Sequence, residues 1–547
     1  MSSPASLLDS HPWPFSLDSL VHFCLHDPFT QSIVTSAGNC FFAPSRLPGE
    51  EEEGDKFVNV RRGGKGGWTL LPKDWRDYFE SVKGEKEREE VLRDLANGRR
   101  EDFPPSLTSF LYSCRSLSLN RTCSPEPVLS FPPSPSSSST TRREWREDAE
   151  EVQEITVKMK GINTRNAEKA GQGPKKEHEV KQLSKLVQDL LDEGPLTHCV
   201  DVGSGRAHLS RALACPPLNL HVLAIDWSSS QKAGAEILDS IREKAQMGPT
   251  SGSLTHEVTS LDADGVLGAL SRWPPPGGDG EPALLVALHA CGDLTPDALK
   301  AFVRSNAEEE ERRRDARMIA VGCCYNMQTP SLFPLSSLLS SLPLPSLSPS
   351  SSPPPIFLTR AHLRLTPQSP PTWHLTPTST SSFYTSTLKI AFRARFEAEL
   401  EAAGVGVNDE RRVGRIAECK SWGEYRKRAL GKYDYGVTKI TEEEVPGLRF
   451  VAEAEKGKGD GKEDGEEWET ALFWLRCFWT IRSWLGPPLE TLCVLDRFAF
   501  LCEGMRQEWE EQDGVKNEMG RKKRRVEVVN VFDQATNSLR NLAIVVR

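Results

Sequence analysis

The sequence predicts an α/β fold: a doubly wound, mostly parallel sheet with a terminal antiparallel hairpin, joined to an N-terminal mainly helical region and broken by disordered insertions. Three observations predict it. Strand-like and helical segments alternate from "HEVKQLSKLVQDLL" onward, and two of the runs, "ALLVALHACG" and "MIAVGCCY", are apolar nearly throughout, as strands covered on both faces are. The chain closes with "RVEVVNVFD" and "RNLAIVVR", which are separated by only a short turn. A parallel connection needs a crossover of a dozen residues or more, so this last pair must be antiparallel.

In chain order, residues 1–120 carry Trp13, Trp68, Trp75, Phe79, Phe103 and Leu107, enough apolar material for a small, mainly helical region. Residues 121–158 contain "SPEPVLSFPPSPSSSSTT", whose composition predicts a disordered linker. The sheet domain is expected over 159–547, with insertions at about 273–282, 331–382 and 455–467. Such insertions are tolerated because loop-closure entropy grows slowly with length. In the first long helix Val180, Leu183, Leu186, Val187, Leu190 and Leu191 share one face. "THCVDVG", "LHVLAIDW" and "LTHEVT" supply the remaining parallel strands. "PPLETLCVLDRFAFLCEG" reads as a helix opened by prolines and ended by glycine, with Leu489, Leu492, Leu495 and Phe498 on a stripe.

Composition narrows the function class. The 13 cysteines are odd in number and lack CxxC spacing, which fits a reducing compartment, cytoplasmic or nuclear, better than a disulfide framework. No apolar run approaches the roughly 18–20 residues of a membrane span, and "MSSPASLLDSHPWPF" lacks the features of a signal peptide. The net charge of −9 argues against a wide nucleic-acid footprint, although acidic runs such as 308–311 carry part of it. The basic cluster "RKKRR" at 521–525 reads as an exposed loop before a strand.

In a doubly wound sheet, ligands sit beyond the carboxyl ends of the strands at the switch point, where "DVGSGRAH" (201–208) falls. Gly203 and Gly205 let the backbone turn tightly and approach a ligand closely, with Ser204 between them. Asp226 ends the next strand, at the separation where a carboxylate accepts ribose hydroxyls, and Trp227 is placed to cover an adenine. A dinucleotide pattern would need glycine at His208, where imidazole would crowd a pyrophosphate. S-adenosylmethionine has no pyrophosphate, and Asp201 is suited to orient the loop or the methionine ammonium. The glycine loop, Asp226 and the terminal hairpin together indicate a class I, Rossmann-like methyltransferase; an NAD-dependent oxidoreductase conflicts with His208 and the hairpin.

"LHACGDLT" and "GCCYNM" end neighbouring strands, so His289, Cys291, Asp293, Cys324, Tyr325 and Asn326 should converge on the cleft. His289 is expected to contact the cofactor, and His289 and Asp293 are the candidate catalytic pair. Cys324, Tyr325 and Asn326 are substrate candidates, as are Lys175, Lys176 and His178 of "GPKKEHEV". Two further readings of the cysteines weigh less. A thiolate nucleophile for a pyrimidine ring lacks its acidic partner and proline loop. Zinc held by His289, Cys291, Cys323 and Cys324 is disfavoured because Cys323 and Cys324, as adjacent strand residues, should point to opposite faces; no metal is expected. Simple packing of small thiols is the leading reading for Cys323 and Cys324.

With these blocks in order, the chain resembles the methyltransferase-like protein 25 family, which includes the paralogue named for a ribosomal RNA adenine dimethylase domain. The resemblance rests on "GPKKEHEV", "DVGSGRAHLSR", "ALHACGDLT", "VGCCYNM", "SWGEYRKRAL", "LETLCVLDRFAFLCEG" and "VFDQATNSLRNLAI", over about residues 160–547. It implies a class I fold and an S-adenosylmethionine site on Asp201, Gly203, Gly205 and Asp226. Ala207 replaces the glycine of the family's GxGxG, Asp226 stands where glutamate is commoner, and Gln534 replaces proline. Since alanine adds only a methyl group, cofactor binding should survive. The adenine-N6 motif (Asn/Asp)-x-Pro-(Tyr/Phe) is missing, because that position reads "HACGDL". The same block and "GCC" look somewhat like certain transfer-RNA ribose methylases. The expected function is therefore methyl transfer to RNA, ribosomal or transfer, with protein as the second substrate class. Residues 383–505, including "EYRKRALGKYD", should shape substrate choice. A non-catalytic scaffold that keeps the fold is the reading from another class.

Overall fold

The computed structural model describes residues 14–36, 67–122, 124–132, 173–194, 196–244, 251–273, 283–308, 316–342, 356–402, 416–419, 421–433, 462–505, 524–534 and 540–547. Trp13, the "RKKRR" cluster up to residue 523, most of the 121–158 segment and the 455–461 part of the last insertion lie outside them. Among the described residues no helix is long and apolar enough to cross a membrane. The chain divides into two compact units, one of Met1–Val21, Leu117–Pro367 and Pro488–Arg547, the other of His22–Ser116 and Gln368–Pro487.

The first unit is built on eight strands: β1 (Ser124–Phe131), β2 (His198–Val202), β3 (His221–Asp226), β4 (Ser253–Val258), β5 (Ala283–Ala290), β6 (Arg317–Gly322), β7 (Val526–Asn530) and β8 (Leu542–Val546). Their order across the sheet is β1-β7-β8-β6-β5-β2-β3-β4. β2 pairs in parallel with both β3 and β5, and β5 pairs in parallel with β6. The chain winds from β2 out through β3 to β4, then crosses to β5 on the other side of β2. The switch point therefore lies at the C-terminal end of β2, where a ligand cleft is expected. β8 inserts antiparallel beside β6 and pairs antiparallel with β7, so the terminal hairpin is the expected one.

β5 and β6 are buried nearly end to end, as their unbroken apolar sequences require. The helix Pro174–Glu193 starts on a proline, which is tolerated where its missing N–H has no helical partner to lose. It buries Val180, Leu183, Leu186, Val187 and Leu190 into the core that covers β2, β5 and β6, with Leu191 partly buried against it.

One strand departs from the sequence reading. β1 lies in the stretch expected to be a linker, yet it pairs antiparallel with β7 and buries Leu129 and Phe131. Serine and proline content masked a short edge strand, and a proline there costs no ladder bond if its N side faces away from β7. The insertion expected at 331–382 is also partly structured: Arg360–Leu365 is a helix opened by Thr359 and His362 in a capping box.

The second unit is helical. It gathers Pro28–Thr35, Lys73–Ser81, Glu85–Asn97 and Pro105–Ser116 with Pro377–Ala402, Trp422–Tyr433 and Lys462–Ser483. Trp68, Trp75, Phe79, Phe103 and Leu107 are buried, as their apolar character demanded. Trp484 donates its indole N–H to the Leu95 carbonyl at 2.9 Å, and Arg482 caps the carbonyls of Ile33 and Val34 at 3.0 and 2.9 Å. These N-terminal helices share one unit with most of the 383–505 region.

Candidate active site

The loop after β2 is shaped by three consecutive demands on its backbone. Gly203 has φ +73°, and a Cβ there would stand 2.9 Å from Leu294. Its N–H and that of Ser204 both donate to the Ile225 carbonyl, at 2.9 and 3.1 Å, which ties the loop to the end of β3. Gly205 has φ +55° with open space where a Cβ would project, so glycine serves conformation here rather than clearance. Ala207 is the unusual member. It is fully buried in the left-handed region (φ 55°, ψ 36°) and caps the helix His208–Ala214. Its methyl packs against Ala224 and Ala235, two small side chains that make the room.

Two carboxylates bracket this loop. Asp201 on β2 is buried and accepts the Ser210 hydroxyl at 2.5 Å. Burial pushes its pKa up to about 6, against the lowering effects of Ser210 and Lys176. Asp226 ends β3 and accepts the Gly205 N–H through Oδ2 and the Ser228 N–H through Oδ1, both at 2.9 Å. A carboxylate oxygen carries two lone pairs, so each keeps acceptor capacity for a hydroxyl pair. Trp227 beside it is 74% exposed, a large aromatic face free of packing duty at the cleft rim. His208 is pushed down to about 4 by burial and then by Arg211, Lys176, Arg206 and Arg242, so it is neutral at physiological pH within a strongly cationic neighbourhood.

At the end of β5 the backbone bulges between Leu288 and Ala290, and His289 adopts φ +61°. A non-glycine residue in that region costs on the order of 1–3 kcal/mol and persists where surrounding structure fixes it. What fixes it is Glu179, whose Oε2 lies 2.7 Å from His289 Nε2. Glu179 is 2% exposed and also meets Lys175 Nζ at 3.7 Å. Burial raises its pKa, but the His289 bond and the charges of His289, Lys175 and Lys176 outweigh it and leave the carboxyl below its usual range. With the carboxylate accepting at Nε2, neutral His289 keeps Nδ1 as an acceptor. Lys176 faces this group and Asp201, and burial lowers its pKa.

The remaining candidates divide. Asp293 has both carboxylate oxygens engaged by Thr329, from its N–H at 2.6 Å and its hydroxyl at 2.7 Å. That arrangement clamps the loop after β5 to the loop after β6, which gives Asp293 a positioning role. Tyr325 is 3% exposed beneath the Arg497 guanidinium, which stands 4.7 Å from its ring centre. Burial and the nearby Glu490 raise its phenol above the ordinary range. His178 packs edge-on against Phe532, with a buried Nε2 that has no hydrogen-bond partner among the described residues. Asn326 and Cys324 remain accessible, the first exposed and the second half-buried.

The expectation that Cys323 and Cys324 point apart is overturned. β6 ends at Gly322, so strand alternation no longer governs the two residues that follow. Their sulfurs lie 3.6 Å apart, and Cys291 Sγ lies 3.0 Å from Cys323 Sγ. Glu179, Ser210 and Thr329 were not singled out from sequence. Glu179 had left a signal: it occupies the phase of the buried stripe 183–186–187–190, where a carboxylate is out of place unless it serves a partner.

Residues 175–329 match the family model Methyltransf_32, described as a methyltransferase domain. A solved structure of a geranyl diphosphate methyltransferase in complex with GPP and sinefungin is similar at 17% identity and a TM-score of 0.17. That match covers 26% of this chain and 46% of the other, so this chain spans under half the length of that enzyme. The chain carries a methyltransferase domain whose cofactor is S-adenosylmethionine, and the glycine loop, Asp201 and Asp226 fit it. Two carboxylates with spare acceptor capacity stand at the switch point, and no glycine cradle for a pyrophosphate is present where His208 stands.

Proposed function

We propose that this chain is an S-adenosylmethionine-dependent methyltransferase acting on RNA, ribosomal or transfer, by direct in-line transfer. The observation that carries the methyl-transfer part is Asp226, which holds Gly205 through one oxygen and Ser228 through the other and keeps an acceptor lone pair on each. The sulfonium supplies an activated methyl group when bound. The chain's own residues bind and orient: Gly203 and Gly205 admit the ligand to the backbone, Asp201 offers negative charge to an ammonium, and Trp227 offers a face for a base.

An acceptor oxygen or nitrogen that must lose a proton needs a base within hydrogen-bond reach. His289, oriented by a buried carboxylate at 2.7 Å, has the arrangement of an oriented imidazole base. RNA is supported by the cations Lys175, Lys176, Arg206 and Arg242 around the loop, which suit a polyanion despite the net acidity of the chain. The resemblance to the methyltransferase-like protein 25 family points the same way. The adenine-N6 chemistry in the name of one paralogue gains no support from "HACGDL".

The test is methyl-tritiated cofactor, purified protein and an extract from cells lacking it. Label removed by ribonuclease and retained after protease supports RNA; the reverse supports protein. Calorimetry that finds no cofactor binding sinks the enzyme reading in favour of a scaffold.

A further inference from the structure

We propose that Cys291, Cys323 and Cys324 form a three-thiolate site for a thiophilic metal ion of the zinc class, with its open coordination position toward the cleft. Their three sulfurs all lie within 4.8 Å of one another, with neighbouring pairs at 3.0 and 3.6 Å. Sulfurs bound to one zinc at about 2.3 Å stand within roughly 4 Å of each other, so only small side-chain adjustments separate this cluster from a ligand set. Soft thiolates select zinc or monovalent copper over hard oxygen-seeking cations. Three protein ligands and an open fourth position distinguish a reactive zinc site from a closed structural one. The burial pattern agrees, since Cys323 is buried whereas Cys291 and Cys324 are only partly covered.

The cluster sits in a frame that holds it without a metal. Gly292 has φ +57°, and a Cβ there would stand 2.9 Å from the Met327 carbonyl oxygen, so glycine alone lets the two loops lie this close. The Gly292 N–H donates to the Cys324 carbonyl at 3.2 Å, Arg540 Nε donates to the Cys323 carbonyl at 3.3 Å, and the Asp293–Thr329 clamp closes the frame. A bound cation would favour the ionised form of all three thiols.

The experiment uses the full chain, reduced, with its thiols counted by alkylation, then titrated with cobalt(II) as a spectroscopic stand-in for zinc. The expected result is a thiolate-to-cobalt charge-transfer band that saturates near one ion per chain and is displaced by zinc. Cys324→Ser and Cys291→Ser should each abolish or weaken the band, while circular dichroism remains that of the parent. Cys215→Ser, at the C-terminal end of the His208–Ala214 helix and outside the triad, should leave the band unchanged. Fully reduced protein that shows no cobalt–thiolate band and carries no zinc or copper overturns the proposal. So does a band that survives both triad substitutions. An isolated Cys291–Cys323 disulfide that binds no metal after reduction would overturn it in favour of a redox pair.

Discussion

His289 and Glu179, 110 residues apart in sequence, are joined by a 2.7 Å hydrogen bond that fixes an imidazole in a left-handed backbone conformation. The bond also decides how the fold responds to acid. Because the Glu179 carboxyl is held below its ordinary value of 4.5, the folded state retains the charge where the unfolded state takes up a proton. The stability this contributes is fully present above about pH 4.5 and is lost as the pH falls through the depressed folded value. Glu179→Gln should cost about 1–3 kcal/mol at neutral pH and flatten the acid limb of the stability profile. Urea midpoints at several pH values check both, and an unchanged acid limb would remove Glu179 from this role.

Asp226 joins two backbone N–H groups, from Gly205 and Ser228, and the bond to Gly205 spans the glycine loop and the end of β3. Asp226→Ala should loosen the loop by about 1–3 kcal/mol per lost charge-assisted bond and weaken cofactor binding by at least about tenfold. Asp226→Glu, the residue commoner in the resembling family, should keep the cofactor and lose part of the loop bonding. Calorimetry with S-adenosylmethionine and thermal unfolding measure the two effects separately.

Part of this site was legible because local chemistry demanded it. Gly203 and Gly205 occupy positive φ, and the terminal pair had to be antiparallel because so short a turn permits nothing else. What stayed hidden at the site was of two kinds. Partners brought from distant sequence, such as Glu179 for His289 or Thr329 for Asp293, leave at most a polar residue in an apolar phase. Residues just past a strand end, such as Cys323 and Cys324, escape the alternation rule that would have separated them. β1 was hidden for a third reason: an edge strand needs only one face and one partner, and a serine- and proline-rich sequence supplies both.

Asp201 should give the opposite pH signature to Glu179. Burial raises its carboxyl to about 6 in the folded state, above its ordinary 3.8, with Lys176 and Ser210 opposing and Asp226 reinforcing the shift. Between about pH 4 and 6 the folded chain therefore holds a proton that the unfolded chain has released, and stability falls as the pH rises through that window. Asp201→Asn keeps an acceptor for the Ser210 hydroxyl and removes the buried charge. It should match or exceed the parent in stability at pH 7.5 while binding S-adenosylmethionine more weakly. Loss of both stability and binding would mean that Asp201 is chiefly structural.

Ala207 tests how far the loop depends on glycine. Replacing it by glycine relieves left-handed strain of roughly 1–2 kcal/mol. It also forfeits about 0.8 kcal/mol of methyl burial and adds roughly 0.5–1 kcal/mol of backbone entropy. The terms nearly cancel, so Ala207→Gly should change stability by less than about 1 kcal/mol and leave cofactor affinity intact. Ala207→Val combines a β-branched residue at φ 55° with overpacking against Ala224 and Ala235, and should cost more than about 2 kcal/mol. Denaturant unfolding of the two variants side by side distinguishes strain from packing.

Asp293 separates positioning from proton transfer. Each of its oxygens accepts one bond from Thr329, which keeps the loops after β5 and β6 in register, and each retains a second lone pair. Asp293→Asn retains one good acceptor for this pair of donors and should lower methyl incorporation by less than about tenfold, with the pH profile of the rate unmoved. Thr329→Val removes the hydroxyl donor alone and should produce a similar, modest loss. His289→Ala removes the imidazole that Glu179 orients and should lower the rate by about 100-fold or more while changing the pH profile. If Asp293→Asn instead abolished activity and altered the profile while Thr329→Val did not, Asp293 would be the base and the clamp incidental.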